Sequence, residues 1–191
     1  MSFSWAIKTC FKKYVTSSGR ASRAEFWYFW IFCMLVMIAL TILNTVLFGP
    51  NIIVTEQIVI ASNGNPHLVK NVMEFYNSGL PGTVFLLIVI VPGLALTSRR
   101  LHDVGYSAWW IVALVVTIVV AFSTAVLGTI GWSATIHALT TTGRVVVSGG
   151  PAVELALVTI VASIVIFVVW LCTKFEPGTN QYGPNPTEVI P

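Results

Sequence analysis

Charge is scarce in this chain. Of its 191 residues only 17 are Lys, Arg, Asp or Glu, or 9%, where an ordinary soluble domain carries roughly 25%. That shortage excludes a water-soluble globule of this length, which would need far more polar surface to cover its core. Disorder is excluded too, since disordered chains are poor in aliphatic residues and this one is 56% hydrophobic with a mean hydropathy of +0.86. Cysteine is equally sparse. Cys10, Cys33 and Cys172 form no metal-ligand spacing and are expected to be free thiols in a reducing compartment. Internal repeats, a phosphate-binding loop, a dinucleotide fingerprint and a paired-histidine motif are also missing. No cofactor, metal or nucleic-acid partner is expected, and no residue is assigned as catalytic.

The few charges are unevenly placed. Four windows, 26–48, 80–98, 108–128 and 155–173, hold 82 residues and no charge, where average usage would put about 20. Each is close to the roughly 20 residues of helix that cross a hydrocarbon core. Backbone groups in lipid must be satisfied within the segment, which makes these runs helices; a barrel would show many alternating runs of about ten residues instead. The first window is too long for a signal peptide, and no small-residue cleavage site follows it. Pro92-Gly93 in the second should remove one backbone hydrogen bond and bend that helix.

Orientation follows from the loops. Lys8, Lys12, Lys13, Arg20, Arg23, Arg99, Arg100 and Lys174 fall on one side, and only Lys70 and Arg144 on the other. With the acids included, the sides carry +4 and −1. The excess of Lys and Arg puts both termini in the cytoplasm. The expected fold is an all-α membrane protein: four transmembrane helices in a single integral membrane domain over 1–191, with outer loops 49–79 and 129–154 and a cytoplasmic tail 174–191.

Residues 2–16 read as an amphipathic helix, with Phe3, Ile7, Cys10, Phe11 and Tyr14 on one side and the three lysines on the other. It can lie in an anionic membrane surface or pack on the chain's own spans. The β-branched run Ile52–Ile60, followed by Asn63-Gly64 and His67-Leu68-Val69, predicts a small extracytoplasmic β-hairpin. Arg144–Val147 in the second outer loop could share its sheet.

Three segments on the inner side hold the informative polar residues. In the first, Gly19–Trp27, Ser22 and Glu25 match a capping box ahead of an apolar run. The second, Thr97–Trp110, reads as a short turn between spans two and three. Within it Ser107 is placed to cap the third helix, Trp109 and Trp110 suit the interfacial aromatic belt, and His102-Asp103 is a pair able to tune a proton donor or acceptor. The third, Phe175–Pro186, is rich in Pro, Gly and Asn and predicts ordered turns that fold back with Tyr182 as an anchor. Together they give a cytoplasmic-face cluster, structural or ligand-binding, of Arg20, Arg23, Glu25, Arg99, Arg100, His102, Asp103 and Tyr182. Its bland form pairs Asp103 with an arginine of the first segment and leaves His102 to support the turn.

The run GRASRAEFWYFW, then RRLHDVGYSAWW, then an N-x-Y-G-P-N-P tail resembles domain-of-unknown-function family 805, the YhaH-like bacterial inner-membrane proteins. The resemblance spans about residues 11–186. It rests on Gly19, Arg20, Ser22, Arg23, Glu25, Phe26 and Trp27; on Arg100, His102, Asp103, Gly105, Ser107 and Trp110; and on Asn180, Tyr182, Gly183 and Pro186. The family usually has Gly where Ala108 stands and a longer tail before the Asn, and outer loop 49–79 looks atypical of it. What the resemblance implies is a small multi-spanning protein of the bacterial inner membrane, with no activity to carry over.

Three functions fit these residues. A non-enzymatic scaffold, regulator or partner subunit would bind anionic membrane lipid, or a protein or second copy, on its basic inner face. A small transporter or channel subunit would need polar residues inside its spans, and only Asn44, scattered Ser and Thr and the Pro92 kink offer them. An enzyme acting on lipid head groups would use His102 as acid or base, Asp103 to orient it, and Arg20 or Arg100 to hold a phosphate. The first is favoured.

Overall fold

The computed structural model describes residues 2–60, 66–131, 140–141, 150–186 and 188. Among these the elements run α1 (Phe3–Lys12), α2 (Arg23–Phe48), β1 (Asn51–Ile60), β2 (Pro66–Phe75), α3 (Gly79–Asp103), α4 (Trp109–Ile130) and α5 (Pro151–Cys172). The four helices α2 to α5 are each long and apolar enough to cross a membrane. Their residues Val46, Leu87, Val120 and Val158 are exposed, as befits surfaces whose solvent is lipid.

Three of these helices begin before their charge-free windows and two end beyond them, which corrects the boundaries read from composition. Thr97–Asp103 is not part of a turn but the end of α3, with Arg100 and His102 in its last turn. The extension suits the helix dipole, which favours cations at a C-terminus. By the same rule α5 starts earlier, at Pro151, with Glu154 in its first turn.

One compact unit comprises Met1–Val15 and Trp27–Leu94. Here α1 buries Ala6 and Cys10 and leaves Lys8, Lys12 and Lys13 exposed. Phe11 stands edge-on to Phe29 and Phe32 at 5.8 and 6.3 Å, and Phe3 to Tyr28 at 5.7 Å. The amphipathic helix thus packs on the chain's own α2 and still presents a basic face.

Pro92 lies inside α3. Lacking an N–H, it cannot donate to the carbonyl four residues earlier, which belongs to Ile88. That oxygen is not left bare. The Tyr14 hydroxyl donates to it at 2.6 Å, and the Cys10 thiol donates to the Pro92 carbonyl at 3.7 Å. The segment after α1 therefore supplies the hydrogen bond that the proline withholds. Tyr14→Phe, which leaves the Ile88 oxygen unsatisfied, is expected to destabilise the protein by about 1–3 kcal/mol. Chemical or thermal unfolding in detergent measures the difference.

The strands β1 and β2 form an antiparallel hairpin with Asn51 opposite Phe75 and Ile60 opposite Pro66. It is longer at its base than the Ile52–Val69 run suggested. The Asn63-Gly64 turn and the Arg144–Val147 run lie outside the described residues. At the base Asn44 of α2 donates to the Asn77 carbonyl at 3.1 Å. Tyr76 donates to the Glu74 carboxylate at 3.0 Å, and that hydrogen bond, together with the carboxylate's charge, holds the phenol above its ordinary pKa.

The other compact unit comprises Thr16–Phe26 and Ala95–Pro191. In it α4 packs on α5 through Ala121, Ala125 and Ala156, flanked by Val153 and Ile160. Small residues let two membrane helices approach closely. The contact leaves little slack: a Cβ at Gly128 would sit 2.9 Å from that of Ala152. Near the other ends of these helices, Trp170 stacks on Tyr106 at 4.5 Å and meets Trp110 edge-on at 4.9 Å.

Candidate functional site

The three polar segments meet within this second unit. Local structure explains how each is held. The first segment crosses Gly19 at φ 85° and then enters α2. Ser22 caps the helix, its hydroxyl accepting from the Glu25 N–H at 3.2 Å. The Glu25 side chain turns to Arg99, whose Nη1 donates to Oε1 at 2.7 Å. The loop before α2 is sewn to the end of α3, with the Ala21 N–H donating to the Arg99 carbonyl at 3.0 Å and the Ser98 hydroxyl to that of Ser17 at 3.3 Å.

The second segment is fixed by the way α3 stops. Tyr106 N–H reaches back to the Leu101 carbonyl at 2.9 Å and Gly105 N–H to that of His102 at 3.2 Å, which is the Schellman termination. It requires a left-handed residue, and Gly105 supplies it with φ 84°. Ser107 then accepts from the Trp109 N–H at 3.4 Å ahead of α4.

The third segment follows α5. Its turn is closed by paired backbone bonds between Asn180 and Gly183, at 3.2 and 3.0 Å, with Tyr182 at the tip. The Asn180 amide donates to the His102 carbonyl at 2.9 Å and to Glu176 Oε2 at 2.8 Å. The Tyr182 ring lies flat on the His102 imidazole, with centroids 3.8 Å apart and planes 3° from parallel. His102 Nδ1 is 3.2 Å from the Gly19 carbonyl, so this one side chain touches all three segments.

At the centre is Asp103, 1% exposed. Arg20 Nε donates to its Oδ1 at 2.9 Å, and Arg100 Nη1 donates to its Oδ2. Both arginines also donate to backbone carbonyls. Arg20 reaches the carbonyls of Gly178 at 2.7 Å, Asp103 at 3.3 Å and Glu176. Arg100 reaches those of Leu171 at 2.9 Å and Thr173. Leu171 and Thr173 end α5, where carbonyls lack intrahelical partners, so Arg100 serves as a cap supplied by another helix.

Seven of the eight residues singled out from the sequence are gathered here: Arg20, Glu25, Arg99, Arg100, His102, Asp103 and Tyr182. Arg23 is different. It is exposed, and its guanidinium lies 3.5 Å from the Cys172 carbonyl. The structural pairing of Asp103 with Arg20 is formed, while the arrangement in which Asp103 orients His102 is not, since both carboxylate oxygens face arginines. Sequence reasoning missed Glu176 and Asn180 as members. The signal was available in the tail, where a Pro-Gly turn followed by Asn marks backbone that must find donors and acceptors off a helix. Among the described residues no three His, Cys, Asp or Glu side chains come together as a metal site.

Four helices long and apolar enough to cross a membrane, with polar residues from the start of α2, the end of α3 and the tail held together by buried ion pairs and hydrogen bonds, define a polytopic membrane protein. The chain belongs to the family described as "Protein of unknown function (DUF805)", whose profile matches residues 14–184. It is similar to "Inner membrane protein YhaH" of Escherichia coli strain K12 and to the protein of the same name of Escherichia coli O157:H7. Each is 24% identical over 185 residues, covering 95% of both chains. No solved structure matches it.

Proposed function

We propose that this chain is a non-catalytic scaffold or partner subunit of the inner membrane, with both termini in the cytoplasm and a basic cytoplasmic face that binds anionic phospholipid. The observation that carries this reading is the division of labour among its cations. Arg20 and Arg100 spend their donors on Asp103 and on backbone carbonyls, which suits holding a fold and leaves little for a substrate. Lys8, Lys12 and Lys13 stand exposed along α1, beside Trp5. Long lysine stems let the ammonium groups reach head-group level, and each cation there contributes about 1 kcal/mol toward an anionic surface.

Native mass spectrometry of the full chain released from mixed phosphatidylglycerol and phosphatidylcholine tests the reading. Wild type is expected to carry several phosphatidylglycerol molecules, and Lys8→Gln/Lys12→Gln/Lys13→Gln at most half as many. Equal retention of both lipids by the two proteins defeats it.

A further inference from the structure

Arg99 is the exception among the buried arginines. Its side chain is 0% exposed, and one nitrogen, Nη1, is paired with Glu25. Nε and Nη2 are buried without a hydrogen-bond partner among the described residues. These two are not any two atoms. In a guanidinium, Nε–H and the neighbouring Nη–H form the edge that grips two oxygens of one phosphate or carboxylate in parallel bonds. Burying such donors unpaired costs on the order of 1–3 kcal/mol or more.

Charge points the same way. Among the described buried residues, the guanidiniums of Arg20, Arg99 and Arg100 meet only the carboxylates of Glu25 and Asp103. One positive charge is left over, and an uncompensated charge is expensive away from water. An anion on the unpaired edge of Arg99 would satisfy the donors and balance the charge together. Position agrees as well. The 25 residues of α3 extend about 37 Å at 1.5 Å each, more than a hydrocarbon core of about 30 Å. Arg99 is the fifth residue from the cytoplasmic end by the orientation proposed above, at the level where lipid phosphates lie.

We propose that Arg99 is an oxyanion receptor whose Nε–H and Nη2–H together hold two oxygens of a phosphate group, carried by an anionic phospholipid head group or by free phosphate, with Glu25 fixing the guanidinium from its opposite side. This rests on the anionic-lipid reading and gives it one specific, stoichiometric site separate from the lysines of α1.

The test follows that one site in the full-length protein. Phosphatidylglycerol retention at rising collision energy reports the last lipid to leave, and calorimetric titration with inorganic phosphate reports the free anion. One of the two probes is expected to bind wild type with a stoichiometry of one. Arg99→Lys keeps the charge and loses the two-pronged edge, so affinity for that probe should fall at least tenfold. Lys8→Gln/Lys12→Gln/Lys13→Gln should keep the site while losing looser lipids. Glu25→Gln retains an oxygen for Nη1 and removes a negative charge beside the anion, so binding should tighten several-fold. Glu25→Gln decides the matter if Arg99→Lys fails to fold. Wild-type affinity in Arg99→Lys, no tightening in Glu25→Gln, or no one-to-one binding of either probe overturns the proposal. Loss of lipid in the lysine variant alone would leave the lipid reading standing without this site.

Discussion

Asp103→Ala is expected to lower the stability of the protein by about 3–5 kcal/mol, the cost typical of removing one partner from a buried ionic group. The size follows from what is left behind. Both carboxylate oxygens are taken, Oδ1 by Arg20 and Oδ2 by Arg100, and the side chains of all three are at most 1% exposed. Without the carboxylate, two guanidiniums would share a buried space with no counter-charge between them. Asp103→Asn should lie between wild type and alanine, because the amide oxygen still accepts from one arginine but cannot serve both. Unfolding midpoints in detergent give the ranking. An Asp103→Ala protein within 1 kcal/mol of wild type would mean that the pairs are no more than surface ion pairs in strength.

The same residues explain what could be read in the sequence and what could not. The four spans were legible because lipid imposes a one-dimensional rule, an apolar run of fixed length, and the chain obeys it in four places. The capping serine and the Pro92 lesion were legible for a similar reason, each being a local consequence of backbone chemistry. Glu25 was legible only in part. Its spacing offered both a capping box and a charged cluster with arginines, and the approach of α3 supplies Arg99 as its partner. Tyr14 was read as one more apolar residue of an amphipathic face, although its hydroxyl repairs the carbonyl orphaned by Pro92, 74 positions further along the chain. The Pro-Gly-Asn tail revealed that it was not helical. It could not reveal that its carbonyls are the acceptors that Arg20 needs.

That last dependence makes Arg20→Lys the sharpest separation of geometry from charge. The substitution keeps a cation beside Asp103, so a purely electrostatic core would tolerate it. Arg20, however, donates from three nitrogens to four acceptors: Asp103 Oδ1, the Asp103 carbonyl, and the tail carbonyls of Gly178 and Glu176. A lysine ammonium is a single point with three donors and cannot span them. Retaining the Asp103 pair abandons the tail, and the two tail carbonyls lose charge-assisted bonds worth roughly 1.5–3 kcal/mol each. The expected loss is about 3–5 kcal/mol, close to that of Asp103→Ala but distributed differently. Amide hydrogen exchange distinguishes them. In Arg20→Lys the amides of Glu176, Asn180 and Gly183, which bond to Asp103 and across the tail turn, should exchange at least tenfold faster, while those in the interior of α4 and α5 stay protected. In Asp103→Ala the end of α3 should loosen together with the tail. If Arg20→Lys left tail exchange unchanged, contacts such as the Tyr182–His102 stack, the Asn180 amide and the Glu176 N–H bond to Asp103 would suffice to hold the tail, and the role of Arg20 would reduce to its charge.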